Sequence, residues 1–376
     1  MKIAGVICEY NPFHNGHKHQ LDTLKADYDA VVCVMSGSFV QRGDIAIFDK
    51  WTRAKAALLG GADLVIELPV SYSLSSAQGF AEGGIRLLDS LGIIDTVSFG
   101  SECGDIDKLS HCAEIMMNEP QAVSDKIKKL TAEGMSFAKA RALAYDGILD
   151  TDIISQPNNI LAIEYITALK KTGSKIKPIT LPRKAVGYHD MHALGSFASA
   201  TLLREKLGKN EAILEYTPYD FSGCERYDIN RLTDIFKYKL MSEGIAAFNG
   251  ISDLEPGLAN RFLKALDKNT LSEIIDFVKT KRYTRTRLQR IALSVLLGIK
   301  GEFTPPQYVR VLGMSEAGKN ILSQMKNTCT LPVVNKVADF KNDAILPDIF
   351  ATNLAALCAD RPVPQNRDFT TSPVMI

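Results

Sequence analysis

Ile3-Ala4-Gly5-Val6-Ile7-Cys8-Glu9-Tyr10-Asn11-Pro12-Phe13-His14-Asn15-Gly16-His17-Lys18-His19 stands almost at the start of this 376-residue chain, and its order of residue types decides the fold. The short apolar run Ile3 to Cys8 predicts a buried parallel strand, whose two faces are both covered. Asn11 and Pro12 end it with turn chemistry, and His14-Asn15-Gly16-His17 falls where a helix should begin. A strand, a tight turn and a helix N-terminus make a phosphate site, because free N–H groups and the positive end of the helix dipole converge there. Gly16, lacking a Cβ, lets a nucleotide approach the backbone. His14 and His17 lie three apart and share one face of the first turn. Two imidazoles there can donate hydrogen bonds to charge developing on a phosphoryl oxygen. Three of the six histidines, His14, His17 and His19, fall within six residues. Such a cluster can also hold a metal or stand at a surface, but its place after a buried strand favours phosphate.

Outward from this turn, apolar runs alternate with helical patterns. Strands are predicted at residues 30–35, 62–68, 93–99 and 175–181, with helices at 16–25, 50–59 (capped by Asp49) and 75–91. That alternation implies right-handed crossovers and a parallel sheet, hence an α/β, doubly wound, Rossmann-like domain. Ligands of such sheets bind beyond the carboxyl ends of the strands. The His turn, the loop Ser36 to Asp44 and Gly100-Ser101-Glu102 should meet on that edge. Residues 105–150 read as a helical insertion, and Gln156-Pro157-Asn158-Asn159 opens a further helix with Pro157 in its first turn. A loop, Gly187-Tyr188-His189-Asp190, leads to a second motif, Ser196 to Arg204. Hydroxyls of Ser199 and Thr201 at a helix start can bond phosphate oxygens, and Arg204 can clamp the β/γ-phosphates bidentately. Alone this would read as a Ser-capped helix with a solvent-facing arginine; paired with the His turn it reads as a phosphate clamp. Beyond Gly208 the pattern turns helical, giving a catalytic part, 1–210, and a mainly helical part, 211–376.

Hydrophobic residues make up 46% and charged residues 23%, ordinary for a globular protein, and the net charge is +1. No global field attracts a polyanion, so any nucleic-acid surface must be local. One candidate is Lys279-Thr-Lys-Arg-Tyr-Thr-Arg-Thr-Arg-Leu-Gln-Arg290, which contains no acid. Across residues 261–310 eleven Lys/Arg stand against four Asp/Glu. Lys281, Arg282, Arg285, Arg287 and Arg290 can neutralise phosphates and Tyr283 can stack a base; a solvated helix face is the plainer alternative. The seven cysteines form no Cys-x-x-Cys pair, which argues against zinc and a disulfide framework and fits a reducing compartment. Without a signal-peptide layout or a membrane-length apolar run, a cytoplasmic location is expected.

The string Glu9-Tyr10-Asn11-Pro12-Phe13-His14-Asn15-Gly16-His17 resembles the bacterial tRNA(Met) cytidine acetate ligase family of the HxGH nucleotidyltransferase superfamily. Lys281-Arg282-Tyr283-Thr284-x-x-Arg287-Leu288-x-Arg290 is similar to a second hallmark of that family. The resemblance covers essentially the whole chain and is strongest at 3–19, 34–69, 156–164 and 281–298. It implies a reaction in two halves. Acetate and ATP give acetyl-adenylate and pyrophosphate, and the N4 amine of the wobble cytidine, position 34 of elongator tRNA(Met), takes the acetyl group. It implies a nucleotide site at Ile7, Cys8, Glu9, Tyr10, Asn11, Pro12, Phe13, His14, Asn15, Gly16, His17, Lys18, His19 and Gln20, joined by Gly100, Asn158 or Asn159, and Arg183. His14, His17 and Arg204 are the expected catalytic groups, with the N–H groups of Phe13 to Gly16 as the cradle. Lys18 and Arg42 are candidates with a surface role as alternative. Where the superfamily has adjacent hydroxyl residues, Ala200 separates Ser199 from Thr201. ATP is expected with Mg²⁺ and without a dedicated metal site or an obligate protein partner. A small-molecule adenylyltransferase, a carrier-acetylating ligase or a nucleotide-switched RNA-binding factor would share the turn; the first two would have no use for the stripe.

Overall fold

A computed structural model describes residues 1–183, 195–301 and 304–376. Eight strands form the main sheet: β1 Ile3–Cys8, β2 Ala30–Ser36, β3 Leu64–Leu68, β4 Thr96–Ser101, β5 Lys177–Pro182, β6 Val309–Met314, β7 Val333–Val334 and β8 Val374–Met375. Their order is β8-β6-β3-β2-β1-β4-β5, with β7 paired to β6. The pairs among β1 to β5 are all parallel, and Ile3 sits opposite Ala30 and Ala4 opposite Thr96. This is the expected doubly wound α/β sheet. The strand order reverses between β1 and β4, and such a switch point opens a crevice at the carboxyl ends. Every residue of β1, β2 and β3 is buried. Ile7, Val32, Val34 and Ile66 pack toward Phe80, Ile85 and Leu88, while Val6, Val31, Cys33 and Val65 pack toward Leu21, Leu24 and Leu58. Each fully buried aliphatic side chain contributes about 1.5–3 kcal/mol. β4 begins later than its apolar run suggests, because Asp95 ends the preceding turn and accepts the N–H of Ile3 at 2.7 Å.

The helix Pro157–Thr172 starts with proline in its first turn and ends on left-handed Gly173. Helices Ile106–Met117, Gln121–Ala132 and Phe137–Ala144 fill the expected insertion, and Leu109, Val123 and Ile127 join the core beside Ile163 and Tyr165. The last third departs from expectation: no strand was predicted past residue 211, yet β6 enters the sheet antiparallel to β3, and β7 and β8 flank it. Arg310, the second residue of β6, makes Tyr308 to Met314 look like a surface run, but its charge is buried against Glu67 and Asp368. Pro362, Pro364 and Pro373 predict an extended segment over residues 360–376, but it forms a short helix, Arg367–Thr370, before β8. Helices Thr233–Glu243, Leu271–Val278 and Arg285–Leu297 build a second core around Phe236, Phe262, Ile275 and Leu293, to which Phe39, Ile45 and Leu74 of the first half also belong. No helix among the described residues is long and apolar enough to cross a membrane, and all seven cysteines are unpaired.

Candidate active site

β1 leads into Tyr10, which has φ 47°, and then into a cis Asn11–Pro12 bond. His14 is the N-cap of the helix Asn15–Asp27. Its Nδ1 accepts the N–H of Gly16 at 3.0 Å, while the N–H of His14 is donated to Nδ1 of His17 at 3.3 Å. Two imidazoles thus form a reciprocal capping box, and their rings stack at 3.7 Å between centroids. A neutral imidazole that accepts at Nδ1 carries its proton on Nε2. Burial lowers the pKa of His14 to about 3, helped by Arg183 and Arg204, and holds His17 well below its usual value, helped by His14 and Arg183. Both rings are therefore neutral, with Nε2–H as the available donor.

Two expectations change here. The N–H groups of His14 and Gly16, assigned to the phosphate cradle, are taken by the rings. Gly16 is small for the sake of His14, since a Cβ there would stand 2.9 Å from Cε1 of that ring. Tyr10 and Phe13 are buried beside His17, with centroids at 4.8 and 5.7 Å. Ile7 and Cys8 are core residues of the strand end. Asn11 is buried and holds the N–H of Ile47 at 2.8 Å. The Asn15 amide donates to the carbonyls of Ser196 and Glu215, and that of Gln20 to the Ser98 carbonyl. Lys18 pairs with Asp22 on the outer side, and exposed His19 lies edge-on to Phe197. Glu9 accepts the N–H of Gln41 at 2.7 Å, and burial raises its carboxyl against the pull of Arg204, Arg42 and Arg53.

The opposite wall is the end of β4. The Glu102 carboxylate accepts the N–H of Asn158 and Asn159 and the Asn158 amide, at 2.6–3.1 Å, so it caps the dipole of Pro157–Thr172. Asn159, fully buried, returns its Oδ1 to the N–H groups of Glu102 and Cys103. Asn158 Oδ1 accepts from Arg183 at 2.8 Å, and the Arg183 stem passes over Gly100, where a Cβ would stand 3.3 Å from Cγ. Asn159 therefore locks the wall, while Asn158 works with Arg183, whose charge reaches both histidines. Glu102 had been placed on this edge without a role. Two acceptor oxygens before a proline-started helix were the missed signal.

In the second motif Ser199 caps the helix Ala200–Gly208, its Oγ accepting the N–H of Leu202 at 3.1 Å. Arg204 reaches back across the turn, donating to the Asn11 carbonyl at 2.8 Å and to Thr201 Oγ1 at 3.3 Å. Arg204 thus lies at the His turn and does not face solvent. The loop Gly187 to Asp190 lies outside the described residues.

The basic stripe is less free than its composition suggests. Arg282 and Arg287 both pair with Glu255, at 2.6 and 3.0 Å, and Arg285 pairs with Asp276. Tyr283 is buried, donates its hydroxyl to Glu255 and has Arg282 and Arg287 over its ring. The expected base-stacking ring is consequently part of the core, because its aromatic face is worth more against the helical core than in water. Arg290 is half-buried and donates to the Gln41 carbonyl at 3.3 Å. Lys279 and Lys281 are exposed and pair with no acid among the described residues. The stripe also abuts the Ser36 to Asp44 loop, whose Gly43 packs on the backbone of Gln289 and Arg290.

A buried ionic floor went unread. Arg53 donates to the carbonyls of Glu9, Ser36, Gly37 and Phe48, tying together the ends of β1 and β2. Lys50 pairs with Glu67 at 2.7 Å and Asp368 at 2.8 Å. Glu67 inside an apolar strand was the visible sign, since such a charge must find a partner. Among the described residues no three His, Cys, Asp or Glu side chains form a metal cluster.

The family model HIGH Nucleotidyl Transferase matches residues 1–369. The chain is 41% identical to the tRNA(Met) cytidine acetate ligase of Thermoanaerobacter sp. (strain X514), covering 95% of each protein. It is 38% identical to that of Clostridium perfringens (strain ATCC 13124) over the full length of both. Among solved structures it is similar to Thermotoga maritima TmcAL bound with alpha-thio ATP, at 31% identity, full coverage of both chains and a TM-score of 0.90.

Proposed function

The chain belongs to the HIGH nucleotidyl transferases, among the tRNA(Met) cytidine acetate ligases, and from that membership we propose how its crevice works. It is an ATP-dependent ligase that forms acetyl-adenylate from acetate and ATP and passes the acetyl group to N4 of the wobble cytidine of elongator tRNA(Met). ATP lies at the switch point with its α-phosphate against the Nε2–H groups of His14 and His17 and the positive end of Asn15–Asp27. Acetate attacks the α-phosphorus and pyrophosphate leaves toward Arg204, which exchanges its carbonyl bond to Asn11 for phosphate oxygens. Asn158 and Arg183 over Gly100 line the nucleotide wall. Adenylyl transfer needs positioning and charge stabilisation rather than a protein nucleophile.

The observation that carries this reading is the reciprocal box of His14 and His17. It fixes two uncharged rings as donors before any ligand arrives. Mg²⁺ would come with ATP as its counter-ion. The residues do not fit a protein-held cation, because both Nδ1 atoms already accept backbone N–H groups. The helical side supplies the tRNA surface, with exposed Lys279 and Lys281 and the outer arginines meeting phosphate. These substrates assign the enzyme to the cytoplasm. Incubation with ATP, labelled acetate and total tRNA, followed by nucleoside mass spectrometry, should yield N4-acetylcytidine in elongator tRNA(Met). Label absent from cytidine would refute the acceptor, and absence of acetate-dependent pyrophosphate exchange would refute the adenylate.

A further inference from the structure

Tyr283 is buried, but another ring on the same side of the molecule is not. Phe277, in the last turn of Leu271–Val278, is 44% exposed, although its neighbours Ile274, Ile275 and Val278 belong to the helical core. Its backbone is held: Arg261 donates to the carbonyls of Phe277 and Val278, each at 3.2 Å, at the negative end of that helix. Lys268 stands with Nζ 5.0 Å from the centre of the ring, a distance at which a cation is attracted to an aromatic face. The pair of Arg285 with Asp276 brings the first turn of Arg285–Leu297 alongside, so the ring lies where the stripe begins. A single exposed apolar side chain is ordinary; the charge around this one is not. The acids of this surface are engaged, Asp267 by Lys268, Asp276 by Arg285, and Glu273 by the N–H of Asn269 at 2.9 Å. Lys264, Lys279 and Lys281 are exposed and pair with no acid among the described residues.

Resting on the ligase reading above, we propose that Phe277 is a stacking platform for an unpaired base of the tRNA, with Lys264, Lys279 and Lys281 meeting backbone phosphates. The wobble cytidine lies in a single-stranded loop, and proteins hold such loops by stacking their open bases on aromatic side chains. Every base has a π face, so the ring adds affinity without choosing a sequence. An exposed ring among unpaired cations suits a polyanion that carries flat aromatic faces. The apolar face of a protein partner would cover the ring and leave the three lysines without counter-charges. Phe277 thus takes the part that composition assigned to Tyr283, from the helix that precedes the stripe.

The test measures the affinity of the full chain for an elongator tRNA(Met) transcript across salt concentrations, and acetate-dependent pyrophosphate exchange without tRNA. Wild type is compared with Phe277→Ala, Phe277→Leu and Phe277→Trp. Phe277→Ala should weaken tRNA binding by about 5- to 150-fold, the scale of one lost base stack. Its slope of log affinity against log salt should be unchanged, because no phosphate contact is removed. Phe277→Leu, apolar but without a π face, should bind as weakly as the alanine variant, and Phe277→Trp at least as well as wild type. The added indole should lose fluorescence on tRNA binding, over the fixed background of buried Trp51, the one native tryptophan. Exchange should be the same in all four proteins. Wild-type affinity in the alanine or the leucine variant would overturn the platform while leaving the ligase standing, as would a changed salt slope or a loss of exchange. A wild type that neither exchanges nor acetylates tRNA would overturn the ligase reading and the platform with it.

Discussion

The His turn and the basic stripe are both dense in polar side chains, yet they spend them in opposite ways. In the turn, backbone N–H groups are donated to the two Nδ1 atoms, so internal bonding leaves both Nε2–H groups as the available donors. In the stripe, internal bonding consumes the outward groups: Glu255 takes two arginines and the tyrosine hydroxyl, and Asp276 takes a third arginine. A charge count along the chain therefore overstates the field of the stripe, because its neutralising acids lie outside the run. A pattern of residue types at a strand end understates the turn, because the same contacts that build it also set its protonation.

The largest effect should come from the turn. His14→Ala and His17→Ala should each lower acetate-dependent pyrophosphate exchange by about 100- to 1,000-fold, the scale of one lost transition-state donor. His14→Asn would sharpen this, since asparagine is a strong N-cap and keeps the helix start without the Nε2–H. Full exchange in the asparagine variant would mean that His14 serves only as a cap. Next comes Arg204. Arg204→Lys should cost about as much in exchange as Arg204→Ala, on the order of 10- to 100-fold, because an ammonium cannot reproduce the planar fork. Wild-type turnover in the lysine variant would reduce Arg204 to a brace for the Asn11 carbonyl.

On the stripe side the effects should be smaller and should separate by residue. Replacing Lys279 and Lys281 together by Gln should lower the slope of log affinity for tRNA against log salt by up to about 1.8, from about 0.9 per phosphate contact. Arg287→Ala should instead lower stability by about 1–3 kcal/mol in thermal unfolding, because Glu255 and the Asp253 carbonyl lose a donor. A tRNA salt slope moved more by Arg287 than by the lysines would reverse this contrast. The smallest expected effect is an absence. With His14 lowered to about 3 and His17 also lowered, exchange should show no histidine limb near pH 6.5. In unfolding, by contrast, these rings favour the unfolded state as pH drops below about 6.5, since only there do they gain protons. Stability should therefore rise with pH through that range.

The sheet was legible because β1 and β2 are apolar runs, β3 is one broken only by Glu67, and their turns carry Asn, Pro and Gly. The three loops expected on one edge do meet there, since a parallel sheet leaves them no other place. Legibility failed where a charge is buried. Arg310 hid β6, and nothing in the helix predicted at 50–59 marks Lys50 and Arg53 as buried. Their partners, Glu67 and Asp368 for Lys50 and Arg310 and strand-end carbonyls for Arg53, come from distant positions that only the fold brings together. Tyr283 failed for a related reason: an aromatic inside a basic run looks exposed until its helix is seen to pack.

The entry of β6 beside β3, sealed by Asp368, has a consequence for synthesis. Lys50 and Arg310 share the carboxylate of Asp368, which is synthesised after both of them. Until it is made, two buried cations have only Glu67 between them, and a buried pair deprived of one partner loses about 3–5 kcal/mol. The nucleotide crevice can be outlined early, but the ionic floor beneath it is complete only once Asp368 has docked.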